Sequence, residues 1–361
     1  MKWKMLAGLT GLLAASAAAH AQSSVVLYGV IDDGLTYVSN QGGHHAYRMD
    51  DSISQGDRFG FRGVEDLGGG LKAVFNLEGG FNPNTGASRQ GGLEFGRQAY
   101  VGLQSDRYGA VTLGRTYDQM TMTLIRYHSG YWSGIYAFDA GDHDRISGNW
   151  LNNVVTYTSP TIRGLRFSAQ YSFNSQSAPA NSYGVAYSLS ASYEHGPLSI
   201  GAATTSIHHY TVTPGSSFGV GSFLGVDVAF SSTAVVVDRY RTAGIGASYD
   251  FRVVGVSALY TNTRYETGAN ASTMQSINAV VHSYLRPDLI VAGGYGYSRM
   301  SPYNWNEFNA VLDYLLSKRT DVYVSANYQK ANGGARAVLV TLPASGNDKQ
   351  LALRVGIRHK F

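Results

Sequence analysis

Apolar and polar residues alternate with a period of two, stretch after stretch, down to the last residue of this chain. From Leu165 the odd positions read Leu165, Phe167, Ala169, Tyr171 and Phe173, while the even positions read Arg166, Ser168, Gln170, Ser172 and Asn174. From Val322 one face is Val322, Val324, Ala326 and Tyr328, and the other is Tyr323, Ser325, Asn327 and Gln329. The chain ends with Leu351, Leu353, Val355, Ile357 and Phe361 against Arg354, Arg358 and Lys360. Successive side chains of a strand point to opposite faces, so each stretch is a strand with two unlike faces. A soluble antiparallel sandwich has the same alternation. The connections separate the two cases, because they alternate between short and long. Short ones fall near Leu67-Gly68, Arg107-Tyr108, Ser159 to Gly164, His195-Gly196, Asp250-Phe251, Arg286-Pro287 and Lys318-Arg319. Longer, polar ones fall at 39–47, 82–92, 117–149, 175–181, 211–233, 266–271, 300–304 and 331–348. Seven short and eight long connections imply sixteen strands. An even strand number with tight turns at one end and longer loops at the other describes a transmembrane barrel. The expected fold is therefore all-β: an antiparallel transmembrane β-barrel of about 16 strands. Both termini then lie on the periplasmic side, and a barrel of this size leaves an aqueous lumen rather than a filled core.

Met-Lys-Trp-Lys, the apolar run Met5 to Leu13 and the small-residue exit Ala19-His20-Ala21 have the layout of a secretory signal peptide. Residues 1–21 are expected to be cleaved after Ala21, leaving residues 22–361 as one barrel domain exported through the periplasm to the outer membrane. No later apolar run approaches the ~20 residues a membrane helix needs. Composition fits a wall facing lipid, with 26 Tyr, 44 Gly, 8 Pro and only 14% charged residues, where ~25% is usual for soluble domains. With no Cys, a disulfide scaffold, a Cys metal site and a thiol nucleophile are excluded. Lys2 and Lys4 supply two of the net +4 charges. What remains is too little for nucleic-acid binding, and no Lys/Arg run marks a phosphate-binding surface.

The connection from Tyr117 to Asn149 is long for a structureless loop, which makes it functional or disordered. It is rich in Tyr, Trp, Gly and Asp, so it can pack, and it is expected to fold into the lumen.

Several long strings resemble the Gram-negative general porin family. SSVVLYGVIDDGLTYVSN (Ser23–Asn40) is similar to the family's first strand, and RFGFRGVEDLGGGLKAVFNLEGGF (Arg58–Phe81) to its second strand, tight turn and third strand. FGRQAYVGL (Phe95–Leu103), YGAVTLGRTYD (Tyr108–Asp118) and VVTYTSP (Val154–Pro160) resemble the fourth to sixth strands, and VGIRHKF (Val355–Phe361) the closing strand. The resemblance spans the mature chain in order and is weakest from Thr211 to Val237. It implies a homotrimer of sixteen-stranded barrels in outer-membrane lipid, each an open channel for passive diffusion of small hydrophilic solutes and ions. It implies that the third external loop narrows the pore, and that Phe361 is read by the barrel-assembly machinery. No cofactor or metal is expected.

A pore selects by charge and width at its narrowest level. In the family, basic wall residues face acidic residues of the inserted loop. On the wall, Arg58 and Arg97 match motif positions, and Arg62 shares the parity of Arg58. Arg62 alternatively pairs with Glu65 or Asp66 at the periplasmic rim. On the loop the candidates are Asp139, Asp142 and Asp144, with His143 and Arg145 among them; each Asp alternatively caps a turn. Arg115 matches a position nearer the subunit contact. The family's third wall charge has Trp150 near its place, with Arg145 the nearest basic residue. Arginine stays charged at any working pH, so the expectation is a weak preference for anions, opposed by the loop carboxylates.

Three other functions could sit on such a barrel. A barrel enzyme lacks the support of any G-x-S-x-G, H-E-x-x-H, P-loop or dinucleotide motif, so the chain is expected not to be an enzyme. His44-His45 and His208-His209 are neighbours whose side chains point to opposite faces of a strand, a poor metal pair. A substrate-specific sugar or organic-anion channel would line its path with aromatics such as Tyr127, Tyr131, Trp132 and Tyr136, which can equally pack the loop on the wall. A surface adhesin would use the longer outer loops.

Overall fold

The computed structural model describes residues 24–173 and 184–361. The expected signal peptide, its cleavage point and the external connection 175–181 lie outside the described residues. The wall begins with β1 (Ser24–Gln41), β2 (His44–Asp51), β3 (Arg58–Gly68), β4 (Leu71–Gly80), β5 (Gln98–Ser105), β6 (Gly109–Tyr117) and β7 (Trp150–Thr158). It continues with β8 (Leu165–Ser172), β9 (Ala186–His195) and β10 (Leu198–Val212), after which β11 (Ser222–Phe223) and β12 (Val226–Asp227) form a small separate hairpin. The remainder is β13 (Val235–Asp250), β14 (Val254–Thr267), β15 (Asn270–Arg286), β16 (Leu289–Met300), β17 (Tyr303–Leu315), β18 (Thr320–Asn332) and β19 (Lys349–Lys360). Each pairs antiparallel with its neighbour, and β19 returns to β1 with Val30 opposite Lys360 and Val38 opposite Ala352. The second wall position is shared. β3 pairs the first part of β1 and β2 the last part, so the described residues make a closed barrel of sixteen strands.

The break between β2 and β3 has a cause in two acids. Asp32 accepts the amides of Ser54 and Gln55, while Asp57 accepts the amide of Asp32 and the hydroxyl of Ser52. Backbone groups that a continuous ladder would have used are satisfied by carboxylates instead.

The two faces of the wall settle barrel against sandwich. On β19, Val355 is 52% exposed while Arg354 is 2% exposed. On β8, Phe167 and Tyr171 are exposed and Gln170 and Ser172 buried; on β18, Val324 is exposed and Ser325, Asn327 and Gln329 buried. Apolar side chains on the outside and polar ones inside are what lipid around an aqueous or polar interior requires.

The seven short connections are tight turns, as expected. Three of the expected longer ones are not loops. The chain turns at Gly42-Gly43, with Gln41 paired to His44, at Gly268-Ala269 and at Ser301-Pro302. Polar residues at 39–47 and 266–271 stay paired up to their two-residue turns, and around those turns successive residues are exposed on both faces, so their polarity does not mark a loss of pairing. The long excursions among the described residues are 81–97, 118–149, 213–234 and 333–348.

The 118–149 segment packs on the inner face of the wall. Its backbone and side chains bond to Ser188 on β9, Thr261 and Thr263 on β14, Ser276 and Asn278 on β15, Asn309 on β17 and Asp50 on β2. All of these partners lie on the buried row. The 333–348 loop closes over it, with Leu339 and Leu342 against Tyr136 and Ile53, and Val340 against Met120, Leu124 and Tyr127. Arg336 donates its amide to Gly219 O, tying this loop to the 213–234 loop.

Candidate pore constriction

On the β3–β5 side of the wall, three charges meet. Arg58 opens β3, Glu78 lies near the end of β4 and Arg97 immediately precedes β5. Arg97 Nε lies 2.8 Å from Glu78 Oε1, and Arg58 Nε lies 3.6 Å from Glu78 Oε2. The backbone holds them there: Arg58 is opposite Gly80 in the register, and the Arg97 amide donates to Glu78 O at 3.0 Å. Gly56 makes the space. A Cβ at that position would stand 2.8 Å from an Arg97 guanidinium nitrogen, and Gly56 O accepts from Arg58. Aromatics frame the group. Tyr28 donates its hydroxyl to Glu78 at 2.9 Å, and the Arg97 guanidinium lies over Tyr117 and Trp150 at 5.7 and 6.0 Å. A guanidinium over an aromatic face is held by the ring quadrupole without losing its charge. Two fixed cations against one carboxylate leave this patch one positive charge in excess.

Arg62, four residues further on and on the same face, is exposed and lies over the Tyr28 ring at 5.4 Å. It does so in place of the alternative pairing with Glu65 or Asp66. Arg115 donates to Gly96 O and Asn152. Arg145 is buried and pairs with Asp118, with Trp150 O as a further acceptor.

The loop carboxylates sit elsewhere. Asp139 accepts from Asn278 at 3.0 Å and faces His128 Nε2 at 3.4 Å. Asp144 accepts from Thr261 at 3.0 Å. Asp142 folds back on its own segment, accepting from the amide and hydroxyl of Ser147 and from Asn149. Asp139 and Asp144 are closed off from solvent, at 0% and 1% exposure. The structure therefore brings Arg58 and Arg97 together on Glu78 and seals Asp139 and Asp144 into the loop–wall contact, against β14 and β15. Burial pushes Asp144 up to about 7, helped by the charge of Asp139. Burial, with Asp144 beside it, pushes Asp142 up to about 6. Burial also depresses His143 to about 4. Asp139 keeps its charge: burial opposes ionisation, but His128 and Asn278 outweigh it and hold the carboxyl below the ordinary range.

Glu78 was missed in the sequence. Its signal was parity: Asn76 and Glu78 share one face of β4, and Phe75 and Leu77 the other. The loop aromatics divide. Tyr127 and Tyr136 are buried, Trp132 stacks on His282 with ring centres 4.1 Å apart, and only Tyr131 of the four is well exposed. They hold the loop to the wall and do not form a continuous aromatic track.

Comparison with known proteins agrees with this geometry. The family model described as Gram-negative porin matches residues 8–334. An outer membrane porin protein of Bordetella pertussis is 28% identical, with 99% of this chain and 98% of that protein covered. Outer membrane porin protein 32 of Delftia acidovorans is 30% identical, with 97% of each covered. Among solved structures, an anion-selective porin from Comamonas acidovorans superposes with a TM-score of 0.79 at 25% identity, over 94% of this chain and all of that one. With its closed sixteen-stranded wall, its apolar exterior and a match over most of its length, this chain belongs to the Gram-negative porins and forms a channel in the outer membrane.

Proposed function

We propose that this porin is a passive, weakly anion-preferring pore for small hydrophilic solutes and ions, working as a homotrimer. The observation that carries the reading is the shared carboxylate: Arg58 and Arg97 have one Glu78 between them, and Arg62 adds a further cation on the same face. Arg58 and Arg97 keep 17% and 14% of their side-chain surface exposed, enough to present charge to a permeating ion. In a confined, partly dehydrated passage a fixed charge acts more strongly than in bulk water. Asp139, Asp142 and Asp144, expected opposite these arginines, act in this reading through the loop position they fix, so they offset the wall charge only weakly. The Comamonas acidovorans relative is described as anion-selective, and a Vibrio cholerae porin of the same fold is described in a trimer form. Phe361, at the closing seam, is assigned the assembly signal, and residues 1–21 the export signal. The test is a planar-bilayer recording of the folded protein under a salt gradient. Stepwise ohmic currents with a chloride-side reversal potential support the proposal. A cation-side potential overturns the selectivity, and silence from inserted protein overturns the open pore.

A further inference from the structure

We propose that the contact between the inserted segment and the far wall is a calcium-class cation site, with Asp139, Asp144, Asn278 and Glu307 as its oxygen donors. Asn278, Gly296 and Glu307 face one another across β15, β16 and β17, on one inward row of three neighbouring strands. The middle position has no side chain. A Cβ on Gly296 would stand 3.0 Å from Asn278 Oδ1 and 3.4 Å from Asp139 Oδ1, so Asp139 comes down over the glycine with Asn278 and Glu307 on the strands to either side. Carboxylate oxygens of Asp139 and Asp144 lie within 4.8 Å of each other. That gathers three carboxyl groups in a place closed to water.

A second observation points to a ligand. Asp144 Oδ1, Asn278 Oδ1 and Glu307 Oε2 have no hydrogen-bond partner, and their residues are 1%, 1% and 3% exposed. Three buried acceptors without a donor, one of them Asn278 Oδ1 beside Asp139 over Gly296, suit a cation, not another hydrogen bond.

The donor chemistry selects the ion. Both nitrogens of His143, the nearby soft candidate, are already bonded to the hydroxyls of Thr263 and Ser276. What remains is carboxylate and amide oxygen, the set preferred by hard cations. Calcium accepts irregular oxygen cages at 2.3–2.6 Å, whereas magnesium requires a near-ideal octahedron. Such an ion would pin the third external loop to the wall opposite the arginines, whatever the sign of the pore's selectivity.

The test uses the whole folded protein in detergent, stripped with EDTA and titrated with calcium chloride by calorimetry and thermal unfolding. The expected result is one calcium per chain and an upward shift of the unfolding temperature, with a smaller response to magnesium. Glu307→Gln combined with Asp144→Asn should fold, since it removes buried charge, and should lose both responses. Folded wild-type protein that shows neither heat nor a shift overturns the proposal, as does a calcium response retained by the double variant, which would place the ion on the outer loops. Wild-type crystals soaked in calcium chloride give a check independent of any variant. An anomalous peak bounded by Asp139, Asp144 and Glu307 supports the site, and its absence overturns it.

Discussion

Arg97 donates Nε to Glu78 Oε1 at 2.8 Å while leaving part of its guanidinium facing open space. Glu78 is thus the carboxylate that sets the net charge of the patch. Glu78→Gln keeps an acceptor for Tyr28 and Arg97 and deletes the negative charge. Glu78 is buried and Arg97 nearly so, so removing the carboxylate's charge should also lower the unfolding temperature, breaking one side of a buried pair costing roughly 3–5 kcal/mol. The reversal potential under a potassium chloride gradient should move toward chloride. Arg58→Ala with Arg97→Ala should move it the other way, past the wild-type value. If both variants keep the wild-type potential, the patch is not the selective level.

The seam of the barrel gives a second prediction. Gly29 and Phe361 exchange both backbone hydrogen bonds, at 3.0 and 3.1 Å, and the Phe361 ring lies across the glycine. A Cβ on Gly29 would stand 2.2 Å from the Phe361 ring and 2.7 Å from Arg58 O. Gly29→Val must displace one or the other. The expected outcome is a lower yield of folded, heat-resistant protein on a detergent gel. Deletion of Phe361 should lower it as well, by losing two seam hydrogen bonds of roughly 1 kcal/mol each. Unchanged folding in vitro with impaired assembly in cells would separate a recognition role for Phe361 from its structural one.

How far the sequence could be read follows from the period of each element. The wall was legible because a strand writes its two faces into alternate residues; Leu353, Val355 and Ile357 against Arg354 needed no partner to be understood. The turn at Gly42-Gly43 reads as a loop in the sequence because the strand ends beside it lose the apolar row while keeping their pairing. Arg58 and Arg97 were legible through motif and parity. Their shared partner was not singled out, although Glu78 had the right parity, because pairing across strands depends on register. The loop aspartates show the deeper limit. Asp139 and Asp144 lie in the 118–149 segment, and an irregular segment has no period. Which way each carboxylate turns is decided by distant partners such as Asn278 and Thr261.

Gly134 tests how the inserted segment is hung on the wall. It has φ of +86°, and a Cβ there would meet Ile53 O at 2.2 Å, where the next amide, Ile135, donates at 2.7 Å. Gly134→Ala combines left-handed strain of roughly 1–2 kcal/mol with loss of a hydrogen bond of about 1 kcal/mol. The barrel should survive, since its ladder is untouched. The loop should separate from the bend between β2 and β3, and single-channel traces should show larger open-state noise. Wild-type noise would mean that the other wall contacts, among them Tyr136 bonded to Asp50 at 2.8 Å, hold the segment without this anchor.

Asp118 and Arg145 tie the two ends of the inserted segment together, one just after β6 and the other five residues before β7. Asp118 has two tasks, since its Oδ1 also accepts the Thr121 amide at the start of the short helix Gln119–Leu124. Two substitutions separate them. Asp118→Asn keeps an oxygen for the cap and removes the charge, leaving a buried guanidinium without its carboxylate. Breaking one side of a buried pair costs roughly 3–5 kcal/mol. Asp118→Ala loses the cap as well, which adds about 1 kcal/mol. Both should lower the unfolding temperature measured in detergent, Asp118→Ala slightly more. Arg145→Met, which removes the cation and fills its volume, should be milder than Asp118→Asn, because it strands a carboxylate that keeps its Thr121 amide. If instead Asp118→Asn leaves the temperature unchanged, the pair is not what closes the neck of the loop, and the apolar contacts of Met120 and Leu124 carry it.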